Sequence, residues 1–118
     1  MASLVALGIS GNAASAGLPS RDSSVTIGAG RDQEVFRGRV ISPSAHCYIG
    51  RTVRVFRARP GRDLYLTRTF TDEAGRWRAI IPAQHARHLY ARVREETVPP
   101  GGVPRARCSG DKSRTIVG

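Results

Sequence analysis

Lysine is almost missing from this sequence. Lys112 is the only one, and arginine supplies the other 18 of the 19 basic residues. Against nine acids this leaves a formal charge of +10. Such an arginine bias can reflect codon preference, so the charge alone names no partner. It does imply solubility and attraction to polyanions. No run of 18 apolar residues occurs, which excludes a membrane-spanning helix. No Asn-x-Ser/Thr acceptor is present, because the only asparagine, Asn12, is followed by two alanines. Aromatics are few: one Trp, three Tyr and three Phe. No internal repeat and no amphipathic helical pattern is visible.

Catalytic signatures are equally scarce. No Gly-x-Ser-x-Gly occurs, so serine catalysis has no motif. Gly28-Ala29-Gly30 precedes a predicted strand instead of a helix and fails the dinucleotide-binding context. The adjacent carboxylates Asp72/Glu73 and Glu95/Glu96 fall at predicted strand ends, where solvated charges normally sit. They do not suggest glycosidase chemistry. The expectation is a non-enzyme without a cofactor.

What the chain does contain is β-pattern and turns. Its anchor is Thr69-Phe70-Thr71-Asp72-Glu73-Ala74-Gly75-Arg76-Trp77-Arg78-Ala79-Ile80-Ile81-Pro82, read as strand, tight turn, strand. Asp72 at the turn entry can accept backbone N–H bonds, and Gly75 can take the left-handed conformation that closes a short hairpin. Trp77, Ala79 and Ile81 then share one strand face, with Arg76 and Arg78 on the other.

From the start of the chain, residues 1–16 read as a signal-peptide remnant. Leu4–Ile9 is a short apolar core, and Ala14-Ser15-Ala16 fits a small-x-small cleavage site. The usual positive n-region is missing, which points to a true start upstream. Residues 17–23 read as a linker and 24–118 as one domain. Predicted strands cover 24–27, 33–42, 51–58, 64–71, 76–81, 88–95 and 112–117. A short helical turn is predicted at 82–87 and a long Pro/Gly loop at 97–107. The predicted core is Phe36, Val40, Val53, Val55, Trp77, Ala79, Leu89, Ala91 and Val93. Short strands separated by turn signals imply an all-β, antiparallel, seven-stranded sandwich of immunoglobulin-like size.

Cys47 and Cys108 are the only cysteines. In an exported chain an even count reads as a disulfide. The rival readings are a metal site or a thiol nucleophile. His46 adjoins Cys47, and His85 and His88 are spaced His-x-x-His. Neighbours along a strand point to opposite sides, however, and no Cys-x-x-Cys is present. A disulfide also excludes a catalytic thiolate. The expectation is a disulfide, surface histidines and no metal.

Several segments recur together in one family. They are Phe36-Arg37-Gly38-Arg39-Val40-Ile41-Ser42, Cys47, Gly50-Arg51-Thr52-Val53-Arg54-Val55, Thr71-Asp72-Glu73-Ala74-Gly75-Arg76-Trp77, Tyr90-Ala91-Arg92-Val93 and Cys108. In order and spacing the set resembles the carboxypeptidase-regulatory-like, or transthyretin-like (prealbumin-like), β-sandwich domains of secreted bacterial proteins. The resemblance runs from about Val25 to Val117 and implies a secreted, non-catalytic module with a structural or accessory role. Collagen-adhesin relatives of that architecture carry a Lys–Asn isopeptide bond. Here Asn12 lies in the expected leader and Lys112 on the last predicted strand, so no such cross-link is expected.

The alternative is a binding module for anionic polymers or glycans. If the second predicted strand lies beside the fifth and the third beside the sixth, Arg37, Arg39, Arg76 and Arg78 cover one sheet's outer face. Arg54, Arg92 and Arg94 then cover the other's. Acids collect at strand ends and turns. Two positive faces imply loose, salt-sensitive binding of polyanions by a monomer, both faces contributing equally. A glycan site needs clustered exposed aromatics. The candidates, Tyr48, Phe56, Tyr65 and Tyr90, are scattered along the sequence. A nucleic-acid site needs aromatics interleaved with basic residues on one face.

Overall fold

The computed structural model describes residues 20–29, 34–98 and 106–117. The expected leader at 1–16, residues 17–19 of the expected linker and most of the expected loop at 97–107 lie outside them. Among the described residues the protein is built of strands and two single turns of 3-10 helix, Ala45–Cys47 and Ala83–His85, without an α-helix. The strands are β1 (Ser20–Arg21), β2 (Ser24–Val25), β3 (Gly28–Ala29), β4 (Val35–Ile41), β5 (Thr52–Arg57) and β6 (Leu64–Phe70). They continue with β7 (Arg76–Ile80), β8 (Leu89–Val93), β9 (Glu96–Val98), β10 (Ala106–Cys108) and β11 (Asp111–Lys112).

Alternation dictates the two larger sheets. In β4 the buried positions are Phe36 and Val40, with Arg37 and Arg39 exposed between and beside them. In β7 Trp77 and Ala79 are buried, and Arg76, Arg78 and Ile80 are exposed. β7 pairs antiparallel with one side of β4, Phe36 opposite Ala79 and Gly38 opposite Trp77. β2 and β3 line the other side of β4 as one interrupted edge. Between them the Thr26 hydroxyl replaces a backbone acceptor, taking the Arg39 N–H at 2.9 Å. The Thr26 carbonyl then crowds Gly38, where any Cβ would lie 1.9 Å from it. Only glycine permits that approach.

The second sheet runs β11–β8–β5–β6, all antiparallel. Val53 and Val55 of β5, and Leu89, Ala91 and Val93 of β8, are buried. They join Val25, Ile27, Phe36, Val40, Trp77, Ala79 and Ile81 in one apolar cluster. All nine predicted core residues belong to it. Each of its Val, Ile, Leu and Phe side chains contributes roughly 1.5–3 kcal/mol by leaving water.

Several expectations fail in detail. The Asp72–Gly75 turn is not a hairpin, because β6 pairs with β5 and β7 with β4. Its chemistry is as predicted: the Asp72 carboxylate accepts the N–H groups of Ala74 (2.8 Å) and Arg76 (2.9 Å). Gly75 has φ +78°, and a Cβ there would meet the Val40 carbonyl at 2.6 Å. The strands diverge because Thr71 bonds with Arg51, its N–H donating to the Arg51 carbonyl at 3.0 Å. The Gly75 carbonyl meanwhile accepts from Val40 N–H at 2.8 Å. The turn is therefore a corner between sheets.

Residues 20–23, expected as linker, belong to the fold. β1 pairs in parallel with β10, and β10 antiparallel with β9, in a third sheet. Both β9 and β10 arise where a loop was expected at 97–107. The predicted last strand at 112–117 reduces to Asp111–Lys112 and an isolated bridge between Leu89 and Ile116.

Candidate functional site

The small third sheet meets the larger ones around a buried arginine. Arg51 precedes β5 and shares parity with Val53 and Val55, so alternation turns it inward. Its side chain is fully buried. Nε donates to Glu96 Oε1 at 3.0 Å, and Nη1 to Ser23 Oγ at 3.1 Å and the Cys47 carbonyl at 2.8 Å. Nη2 donates to the carbonyls of Arg94 at 2.9 Å and Ser109 at 3.1 Å. A guanidinium has five N–H donors, and every one is matched. The disulfide Cys47–Cys108, its Cα atoms 5.4 Å apart, lies beside this network with Val98 and Ala106. Closing a loop of about 60 residues contributes roughly 4 kcal/mol by chain entropy. Sequence reading missed Arg51. The parity with Val53 was its only signal.

The arginines of β4 and β7 are the reverse case. Arg37 stands directly opposite Arg78, and Arg39 opposite Arg76. The four are exposed. Between the two pairs, Gly38 and Trp77 offer only backbone to the outer face. They floor a depression of about 270 Å³ with Gly28, Ala29, Arg37, Arg39 and Arg76. Arg76 Nε lies 3.4 Å from Asp72 Oδ2. Arg37, Arg39 and Arg78 pair with no carboxylate among the described residues. Like charges directly opposite each other on a sheet repel.

The outer face of β11–β8–β5–β6 carries more. Lys112, Arg92, Arg54 and Arg68 stand in register across its four strands. Arg94 follows on the same side of the chain as Arg92. Lys112 and Arg68 were not among the polyanion contacts expected from the sequence. The next row aligns Tyr90, Phe56 and Tyr65. Tyr90 and Phe56 stack with centroids 5.3 Å apart, and Phe56 and Tyr65 tilt together at 5.5 Å. Thus the register gathers three of the four scattered aromatics, whereas Tyr48 lies elsewhere.

Much of this second face is already engaged. Lys112 Nζ sits 4.3 Å over the Tyr90 ring, an intramolecular cation–π contact. The Tyr90 hydroxyl donates to Asp63. Burial first, and that bond second, push the phenol up to about 12. The same bond, with the Arg59 N–H, holds the Asp63 carboxyl below its usual range. Beside the ladder, Asp63, Glu95 and Asp111 line one depression with Arg92, Arg94 and Lys112. Cations and acids balance there. Both predicted arginine sets thus lie on outer faces, but in unequal settings.

Among the described residues, no three or more His, Cys, Asp or Glu side chains gather as a metal site would require. Neither is any helix long and apolar enough to cross a membrane. No protein-family model, no curated protein and no solved structure matches this chain.

Proposed function

We propose that this protein is a non-catalytic binding module for anionic polymers, working through the arginine face of β4 and β7. One observation carries the reading. Arg37, Arg39 and Arg76 line a backbone-floored depression with Arg78 beside it, opposite Arg37, and among the described residues one carboxylate is near enough to pair with any of the four. The arrangement repels itself without a ligand, and an anion between the guanidiniums relieves it. In fold the module is an immunoglobulin-like or transthyretin-like sandwich of the carboxypeptidase-regulatory-like kind. The apolar cluster between its two larger sheets supports a sandwich. It works outside the cell as a monomer; a disulfide is compatible with export. A purely structural or accessory role is the second reading, favoured by the residues the fold invests in Arg51 and Cys47–Cys108.

Anisotropy titration of a labelled heparin oligosaccharide tests the proposal. Binding should be measurable near about 50 mM salt and vanish at a few tenths molar. Arg37→Glu with Arg78→Glu should weaken it several-fold more than Arg54→Glu with Arg92→Glu. An absence of binding at low salt overturns the reading. Equal losses from both double variants return it to a diffuse two-faced attraction.

A further inference from the structure

The arginine face has an aromatic wall at one side. Where β6 turns the corner into β7, Phe70 is 58% exposed. It lines a groove of about 360 Å³ with Thr69, Asp72, Arg76, Trp77, Arg78 and Arg37. The groove therefore joins three guanidiniums to one free apolar ring. On the opposite face the rings are spent on one another and on Lys112. Phe70 makes no aromatic pair among the described residues. It comes from the other sheet, so only the corner at Asp72–Gly75 brings it against Arg76 and Arg78.

From this juxtaposition we propose that the groove binds single-stranded nucleic acid, its phosphates on Arg37, Arg76 and Arg78 and one base stacked on Phe70. The proposal rests on the polyanion reading above and names the polyanion. Three chemical points favour it. A phenyl ring offers a π-face but no hydrogen bond, which suits a base better than a sugar hydroxyl. Arg76 and Arg78, two residues apart on one strand, stand roughly 6.6 Å apart along it, a stride that successive phosphates of an extended strand can follow. Asp72, also in the groove, can accept from a base amino group.

Trp77, the only tryptophan, lines the groove, and its Nε1–H is buried without an acceptor. Because that indole faces the core, binding is read from the anisotropy of a label on each ligand. The experiment titrates the protein with a single-stranded oligonucleotide, a duplex of equal length and a heparin oligosaccharide, at about 50 mM salt. Phe70→Ala should weaken the single strand about tenfold, the loss of one stacked base. It should leave heparin and the duplex, whose bases are hidden, within about twofold. Phe70→Tyr should restore single-strand affinity. Wild-type protein that binds heparin but not the oligonucleotide overturns this inference alone. So does an equal effect of Phe70→Ala on all three ligands. Binding of none overturns the polyanion reading and this one with it.

Discussion

Arg51 and the Arg37–Arg78 pair are the same side chain in opposite circumstances. Arg51 is buried at the junction of three sheets with all five donors matched by Ser23, Cys47, Arg94, Glu96 and Ser109. Arg37 and Arg78 face each other in solvent with no described carboxylate beside them. Net charge counts them alike. Physically, the first is part of the framework and the second is available to a ligand. The lesson is that acceptors already in place, more than position on a strand, decide what an arginine does here.

The largest test of that contrast is Arg51→Met. Methionine fills the volume but strands Glu96 and three carbonyls, so the loss should be about 3–5 kcal/mol in denaturant unfolding. Heparin affinity of the folded fraction should not change. Arg51→Lys, with three donors for five acceptors, should fall between. A Met variant of native stability would mean that the network is decorative.

Removing the facing pair should do the opposite. Arg37→Thr with Arg78→Thr relieves like-charge repulsion and installs a good strand former. It should raise stability by about 0.2–1 kcal/mol while weakening heparin binding. Loss of stability would show that these guanidiniums have partners after all, and the contrast with Arg51 would fail.

The smallest effect concerns the opposite face, where cations are engaged without being buried. Ultraviolet titration of the three tyrosines should show one phenol titrating near 12, absent in Tyr90→Phe. The folded pKa lies above the unfolded value of about 10, so the neutral phenol is the folded form. Its contribution is complete below about 10 and is lost as pH rises through about 12. Asp63 runs the other way. Its folded pKa is lowered, so its contribution is present above the unfolded value and fades as pH falls through the folded one. If every phenol titrated together near 10, the Tyr90–Asp63 bond and the engaged state of that face would be wrong.

Much of the interior was legible because it rests on local rules. Alternation placed Phe36, Val40, Val53, Trp77 and Leu89 inside and Arg37, Arg39, Arg76 and Arg78 outside. Asp72 and Gly75 announced their turn. Pairing was less legible. The same turn serves a hairpin or a corner, and the bonds between Thr71 and Arg51 chose the corner. β9 and β10, three residues each, are too short for a period and exist because they pair.

By itself, then, the sequence determined an all-β chain with inward and outward residues assigned along four of its predicted strands, since side-chain direction follows from neighbours a residue or two away. Its two cysteines already suggested their bond. Only the tertiary structure decided which charges and rings are free. Arg51 finds acceptors from segments up to 58 residues distant. Tyr90, Phe56 and Tyr65 meet through strand register, and Phe70 reaches the arginine face through a change of sheet. Each depends on contacts between remote segments, which no pattern of neighbouring residues encodes.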